Sequence, residues 1–159
     1  GGNVTVSHAF GVTPAAGDFE AVAAGLGEAG VALTTVAPDP SRVLPVARLR
    51  EHGVRVGVGS DGVRDSWSPF GDADMLHRAH LLARALRARL DEQLSDAFLT
   101  AAHDGAALVD LPRADFAVGA PADFLLVDGE CLPQVVVDLP PRHAVVRAGR
   151  VVAREGRLL

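Results

Sequence analysis

A histidine and an aspartate each stand at the end of a short apolar segment. His8 follows Val4-Thr5-Val6-Ser7, and Asp61 follows residues 54–60, a run of valines and small residues. The carboxyl ends of parallel strands meet at one rim of a sheet or barrel. The 53 positions between the two residues fit two strand–helix steps of roughly 25 to 30 residues each. An imidazole and a carboxylate on one rim suit metal-assisted hydrolysis, because they can orient and deprotonate a water molecule.

The elements that would position these two residues alternate between strands and helices. Apolar residues at helical spacing predict a helix over residues 19–29, which Asp18 can cap, and a shorter helix over residues 46–51. Largely apolar strands separated by helices are typical of a parallel sheet covered by helices. The predicted strands are residues 4–6, 31–36 and 54–58.

The sequence changes character after the Asp61 loop. Residues 73–90 predict one long helix, and residues 92–102 a second, with a short helical turn to Val109. From Pro112 onward the pattern favours antiparallel strands: residues 122–127, then a hairpin of residues 142–147 and 150–154 around Ala148-Gly149. We therefore expect two domains, residues 1–111 and residues 112–159.

Composition excludes several partners. The net charge of −5 argues against nucleic acid, because phosphate binding needs a basic surface. No apolar run approaches the ~20 residues that span a bilayer, so no membrane partner is expected. Cys131 is the only cysteine, which excludes an internal disulfide and fits a reducing, cytoplasmic location.

Several stretches resemble the cytosine deaminase-like branch of the amidohydrolase superfamily, and they follow that family's order. Residues 4–9 (VTVSHA) are similar to its sixth barrel strand, and residues 59–65 (GSDGVRD) to the end of its eighth. Residues 65–76 resemble its DPW-x-P-x-G…ML loop. Residues 119–127 and 146–152 are similar to strands of the small β-sandwich that flanks the barrel.

The resemblance implies a fold and roles for three residues. The fold is α/β: a partial (β/α)8 TIM-type barrel, its last three βα units, followed by C-terminal antiparallel β-sandwich strands. His8 would polarise and orient the attacking hydroxide. Asp61 would contact the metal and accept a proton from the attacking water, and Trp67 would line the substrate pocket.

The reaction that this resemblance implies is hydrolytic deamination of a nitrogenous ring, cytosine or a related amino-substituted heterocycle. The implied cofactor is a divalent metal, zinc or iron(II), and the implied partner is a small heterocyclic substrate. Gly62 stands where cytosine deaminase itself often has a second acidic residue that contacts the pyrimidine. Because Gly62 cannot make that contact, a related ring or cyclic amidine is as plausible as cytosine.

The sequence lacks part of the family's site. No H-x-H pair or further strand-end histidine precedes His8, although in the family those histidines bind the metal and an upstream glutamate shuttles protons. A tight site usually needs three protein ligands. The chain begins at the equivalent of the sixth strand, so we expect it to be inactive alone and to need a missing N-terminal barrel half or a homo-oligomer.

Other interpretations remain open. The same scaffold could cleave a cyclic amide or amidine, or the chain could be a non-catalytic truncated module that completes its barrel with another polypeptide. His8 could be a hydrogen-bonded core histidine, Asp61 a turn cap, and Trp67 a plug at the barrel mouth. Residues 57–62 lack the G-x-G-x-x-G spacing, which argues against a nucleotide-binding loop.

Overall fold

A parallel sheet forms the first part of the molecule. The structure is a computed structural model that describes residues 4–37, 42–112 and 115–159. Its elements are β1 (Thr5–Ser7), α1 (Phe19–Glu28), β2 (Ala32–Thr35), α2 (Val46–Glu51) and β3 (Val56–Val58). The three strands lie side by side in chain order, with Leu33 paired to both Val6 and Val56. The predicted parallel, helix-covered sheet is therefore confirmed.

The core joins the parallel sheet to α1, to α2 and to the helices that follow β3. Leu33 and Val56 share one face and are 1% exposed, and Leu49 of α2 is completely buried with them. Asp18 occupies the N-cap position of α1, as predicted. The predicted cap is nevertheless wrong, because the Asp18 side chain makes no capping hydrogen bond. Apolar packing rather than capping therefore stabilises α1.

The helical region after β3 is more broken than the sequence predicts. The long helix expected over residues 73–90 is only α3 (Met75–Ala85), because the Asp74 side chain caps its start and Arg87, beyond its end, has a φ of 57°. Helix α4 (Asp91–Leu99) continues into a π-helical segment (Thr100–Asp104) and then α5 (Gly105–Leu108). A Cβ on Gly57 would stand 2.9 Å from the Gly105 Cα, so glycine there lets these helices pack on β3.

The C-terminal part is an antiparallel sheet of β4 (Phe124–Val127), β5 (Arg142–Arg147), β6 (Arg150–Arg154) and β7 (Arg157–Leu158), in that order. The predicted hairpin is confirmed: Ala148 and Gly149 have φ of 48° and 74°, as two-residue type I′ turns require. The predicted domain boundary falls between the parallel and the antiparallel sheet. No helix of the described part of the chain is long and apolar enough to cross a bilayer.

One helix of the C-terminal part was not predicted. Helix α6 (Leu132–Asp138) begins with a proline in its first turn and packs against α3 and α4. Val136 is completely buried there, and His80 of α3 donates its Nδ1–H to the Val136 carbonyl at 2.9 Å. Helix α6 therefore joins the antiparallel part to the helices of the parallel part.

Candidate active site

The carboxyl ends of β1 and β3 place His8 and Asp61 at one edge of the parallel sheet. The His8 N–H donates to the Thr34 carbonyl at 2.8 Å, and the Gly59 N–H donates to Thr35 at 3.0 Å. The ladder of backbone hydrogen bonds thus continues to the residues that carry the candidate site. His8 and Asp61 are brought together from positions 53 residues apart.

The two side chains are in direct contact. His8 Nε2 lies 3.2 Å from Asp61 Oδ2, and Ser7 Oγ lies 2.8 Å from His8 Nδ1. Because an ionised carboxylate only accepts, Nε2 carries the proton that faces Asp61. In the neutral ring, Nδ1 then accepts from the Ser7 hydroxyl. The ring of Phe10 packs edge-on against the imidazole, with centroids 5.3 Å apart.

The pair is open to solvent. The side chains of His8 and Asp61 are 40% and 59% exposed. Exposed ion pairs contribute only about 0–1 kcal/mol to stability, because water screens them. An oriented but accessible imidazole–carboxylate pair is better suited to proton transfer than to holding the fold together.

The backbone at this edge is unusual after all three strands. His8, Ala37 and Asp61 have φ of 70°, 46° and 57°, in the left-handed region that residues other than glycine rarely adopt. Such residues cost of order 1 kcal/mol or more each and cluster at functional sites. The edge that carries the His8–Asp61 pair is therefore one of several places in the described chain where non-glycine residues adopt this conformation.

Helix α3 contributes a residue that sequence reasoning missed. Arg78, half-buried, donates Nη1–H to the Val36 carbonyl at 3.0 Å and Nη2–H to the Ser60 carbonyl at 3.4 Å. It thereby links the chain segments that follow β2 and β3. No motif marks Arg78 in the sequence, since its importance depends on how α3 packs beneath the strand ends.

The loop after Asp61 is organised by a carboxylate. Asp65 Oδ1 accepts from the Trp67 N–H at 2.9 Å and from the Ser68 N–H at 3.1 Å. A side chain at position 62 would collide with the Asp65 carboxylate, so this placement of the Asp65 side chain depends on Gly62. Trp67 itself is 94% exposed, and its assignment as a pocket residue stays a prediction.

Further along the loop, Asp72 has a pKa below its usual range. Burial alone would raise the pKa of this carboxyl, but the Asp74 N–H and the His77 ring, 2.9 Å from Asp72 Oδ2, favour the charged form more strongly. Asp72 is therefore ionised where the loop enters α3. Its charge is held by local hydrogen bonds rather than by the His8–Asp61 pair.

The described residues do not complete a metal site. Within residues 4–37, 42–112 and 115–159, no three histidine, cysteine, aspartate or glutamate side chains are grouped so that they could hold an ion. His8 and Asp61 offer two donor groups, whereas three protein ligands are usual. The expected ligand role of Asp61 stays a prediction that needs ligands from outside the described residues.

Comparison with known proteins places the chain in a family. The sequence profile described as "Amidohydrolase family" matches residues 1–153. The chain is 30% identical over 157 residues to the uncharacterized protein YahJ of Escherichia coli K12, covering 95% of this chain and 33% of YahJ. It is 26% identical over 156 residues to an N-isopropylammelide isopropyl amidohydrolase of Pseudomonas sp. strain ADP, covering 97% of this chain and 39% of that protein.

Solved structures agree on the fold. An N-isopropylammelide isopropylaminohydrolase from Burkholderia multivorans superposes with a TM-score of 0.85 at 40% identity, covering 98% of this chain and 40% of that one. A 5-methylcytosine deaminase from Klebsiella pneumoniae gives a TM-score of 0.77 at 22% identity, covering 95% and 40%. The chain thus spans 33% to 40% of the length of these relatives.

Proposed function

Because this chain belongs to the amidohydrolase family, we propose that it supplies part of the active site of an enzyme that hydrolyses carbon–nitrogen bonds. The proposed reaction removes an exocyclic amino or alkylamino group from a nitrogenous ring. The observation that carries the proposal is the 3.2 Å contact between His8 Nε2 and Asp61 Oδ2 at the carboxyl edge of the sheet.

The two residues divide the chemistry of water attack. Water adds to the ring carbon that bears the amine, and Asp61 accepts the proton that the water loses. The Nε2–H of His8, shared between Asp61 and the attacking oxygen, would stabilise the charge that develops on that oxygen. The carbon–nitrogen bond then breaks, a proton goes to the departing nitrogen, and a ring carbonyl and a free amine result.

Two relatives support an alkylamino substrate. The names of the 26% and 40% identical proteins both specify hydrolysis of N-isopropylammelide, and that of the 40% identical protein calls it an isopropylaminohydrolase. Gly62 has no side chain that could contact a pyrimidine, and the Asp65 carboxylate fills the space that a side chain at position 62 would take. A related ring with an amino or alkylamino substituent is therefore the favoured substrate, ahead of cytosine.

We further propose that the chain acts within a larger assembly. The relatives' greater length and the two-donor site support a partial barrel, whose remaining strands and metal ligands come from residues beyond this chain. Asp61 would be one ligand of a zinc or iron(II) ion, and Trp67 would contact the substrate. The single cysteine supports a cytoplasmic location.

The test uses the polypeptide encoded by the complete reading frame that contains these 159 residues. It is incubated with N-isopropylammelide, cytosine and a set of cyclic amides and amidines, and the products are identified by mass spectrometry. We expect amine release and an intact ring, abolished by Asp61→Asn and unchanged by Asp18→Asn. Ring opening would replace the proposal with a cyclic amide or amidine hydrolase, and no turnover of any ring would support a non-catalytic module.

A further inference from the structure

We propose that Arg78 is a positioning residue for Asp61. The inference rests on the proposed function, which gives Asp61 its task in proton transfer. Arg78 donates to two backbone carbonyls and not to the Asp61 carboxylate or the His8 ring, so it acts through the backbone that leads into Asp61.

The two carbonyls that Arg78 binds have one feature in common. Val36 precedes Ala37 and Ser60 precedes Asp61, and both following residues have left-handed φ, 46° and 57°. A peptide plane that is held by its oxygen cannot rotate freely about the next N–Cα bond. Arg78 therefore holds the peptide that leads into each of the two left-handed residues.

The guanidinium suits this role because its N–H groups form a rigid planar fork. One Nη reaches the segment after β2 at 3.0 Å and the other reaches the segment after β3 at 3.4 Å, so the guanidinium bridges the two strand ends. The backbone of Arg78 is also fixed, because it belongs to α3. In this helix Ala79 and Leu82 are completely buried, and Asp74 caps the first turn. The helix thus transmits the rigidity of the core to the edge that carries Asp61.

Loss of this fork would release Asp61. Without a donor on the Ser60 carbonyl, the Ser60–Asp61 peptide can rotate, and Asp61 can leave its left-handed conformation. The carboxylate would then move relative to the His8 ring. The His8–Asp61 contact is one hydrogen bond of 3.2 Å, and a displaced carboxylate would break it.

Three variants of the complete polypeptide test the proposal: Arg78→Met, Arg78→Lys and the control Arg84→Met, an exposed arginine near the end of the same helix. We expect Arg78→Met to lower kcat about 10²-fold with KM changed by less than about twofold, because the reacting group is misplaced rather than the substrate lost. Arg84→Met should match the wild type. Arg78→Lys keeps the stem and the charge, so it covers the case in which Arg78→Met does not fold. We expect its kcat to be lowered too, since one ammonium cannot bridge both carbonyls.

A second measurement does not depend on activity. The nitrogen-15 resonances of the His8 ring, recorded at one pH, report which nitrogen carries the proton and how it is hydrogen-bonded. Arg78→Met and Arg78→Lys should shift the His8 Nε2 resonance, and Arg84→Met should leave it in place. Unshifted His8 resonances, or wild-type kcat in either Arg78 variant, would overturn the positioning role. A wild type that turns over none of the rings while its His8 resonance still responds to Arg78 would overturn the proposed function alone.

Discussion

At the scale of single residues, Ser7 sets the orientation of the His8 ring. Its hydroxyl lies 2.8 Å from Nδ1, on the side of the imidazole opposite Asp61. The partner of the second ring nitrogen selects the tautomer of a functional histidine, and its loss typically costs about 10- to 100-fold in activity. Ser7 is therefore expected to matter for catalysis more than its exposed position in β1 would suggest.

We predict that Ser7→Ala lowers kcat about 10-fold in the complete polypeptide, because the His8 ring loses the donor that fixes its tautomer. The melting temperature should stay within about 1 °C of the wild type, since exposed substitutions rarely affect stability. Ser66→Ala, on the exposed loop after Asp61, is the matched control. Equal kcat in both variants would show that Ser7 has no part in orienting His8.

Spacing alone predicts that His8 and Asp61 share one rim, because two βα steps return the chain to the same edge of a parallel sheet. Spacing cannot predict the Ser7 contact or the left-handed φ of both residues, since these depend on how the chain leaves each strand. It also cannot reveal Arg78, whose two acceptors are backbone carbonyls that no sequence pattern encodes.

At the scale of elements, the start of α3 depends on one carboxylate. Asp74 Oδ1 accepts from the N–H groups of Leu76 and His77 at 2.9 and 3.2 Å, and Oδ2 lies 2.7 Å from Arg142 of β5. Asp74 therefore fixes the helix that carries Arg78 and also ties that helix to the antiparallel sheet. In α1, by contrast, Asp18 makes no capping bond.

We predict that Asp74→Ala lowers the free energy of unfolding by about 2 kcal/mol, because a cap and a largely buried ion pair are lost together. Asp18→Ala, the matched control at another helix start, should change it by less than about 0.5 kcal/mol. Urea denaturation measures both variants. Equal losses would mean that position at a helix start, and not the observed hydrogen bonds, decides the contribution.

In the antiparallel sheet, His143 of β5 links two acidic residues. Its Nε2 lies 2.9 Å from Asp128 and its Nδ1 lies 3.0 Å from Glu155. These two hydrogen bonds raise the pKa of His143 above its ordinary value of 6.5, and the one to Asp128 has the larger effect. A raised pKa in the folded state means that the folded protein binds this proton more tightly than the unfolded chain does.

The stabilisation from His143 should therefore be fully present below pH 6.5 and disappear as the pH rises through the higher pKa of the folded state. The measurement compares the unfolding free energy of the wild type with that of His143→Gln, which cannot titrate, at about pH 5.5 and about pH 9. We expect the advantage of the wild type to shrink at the higher pH. An advantage that stays constant or grows would contradict this linkage.

The ends of elements proved harder to predict than their existence. Runs of valine and leucine indicate β2 and β3 because both faces of those strands are covered. The three consecutive valines of α6 favour a strand by intrinsic propensity, yet a proline in the first turn and the burial of Val136 against α3 and α4 make the segment helical. Tertiary packing overrides propensity there, and a single sequence does not contain that packing explicitly.

At the scale of the whole molecule, the outermost strand on one side of the parallel sheet, β1, is exposed. Within the described residues, β1 pairs with β2 alone, and its Val6 is 42% exposed, as is the preceding Val4, at 54%. Strand β3 at the other edge is buried, in part by the π-helical segment and α5. An exposed, apolar strand edge pairs readily with another chain.

We predict that the isolated 159-residue chain self-associates through β1. Val6→Lys should shift it toward the monomer in sedimentation analysis, because a charged side chain on an edge strand opposes pairing. Val63→Lys adds the same charge at a valine that is 45% exposed on the Asp61 loop, and it should leave association unchanged. A wild-type chain that sediments as a monomer would contradict the prediction.

The most direct test of the whole account is a double-mutant cycle on kcat/KM in the complete polypeptide, with His8→Ala, Asp61→Asn and both together. If the two residues serve one hydrolytic step, each single variant loses about 10³-fold or more and the double variant is barely worse than either. Losses that multiply, or wild-type kcat/KM in either single variant, would show that the 3.2 Å contact between His8 and Asp61 is not the centre of the reaction.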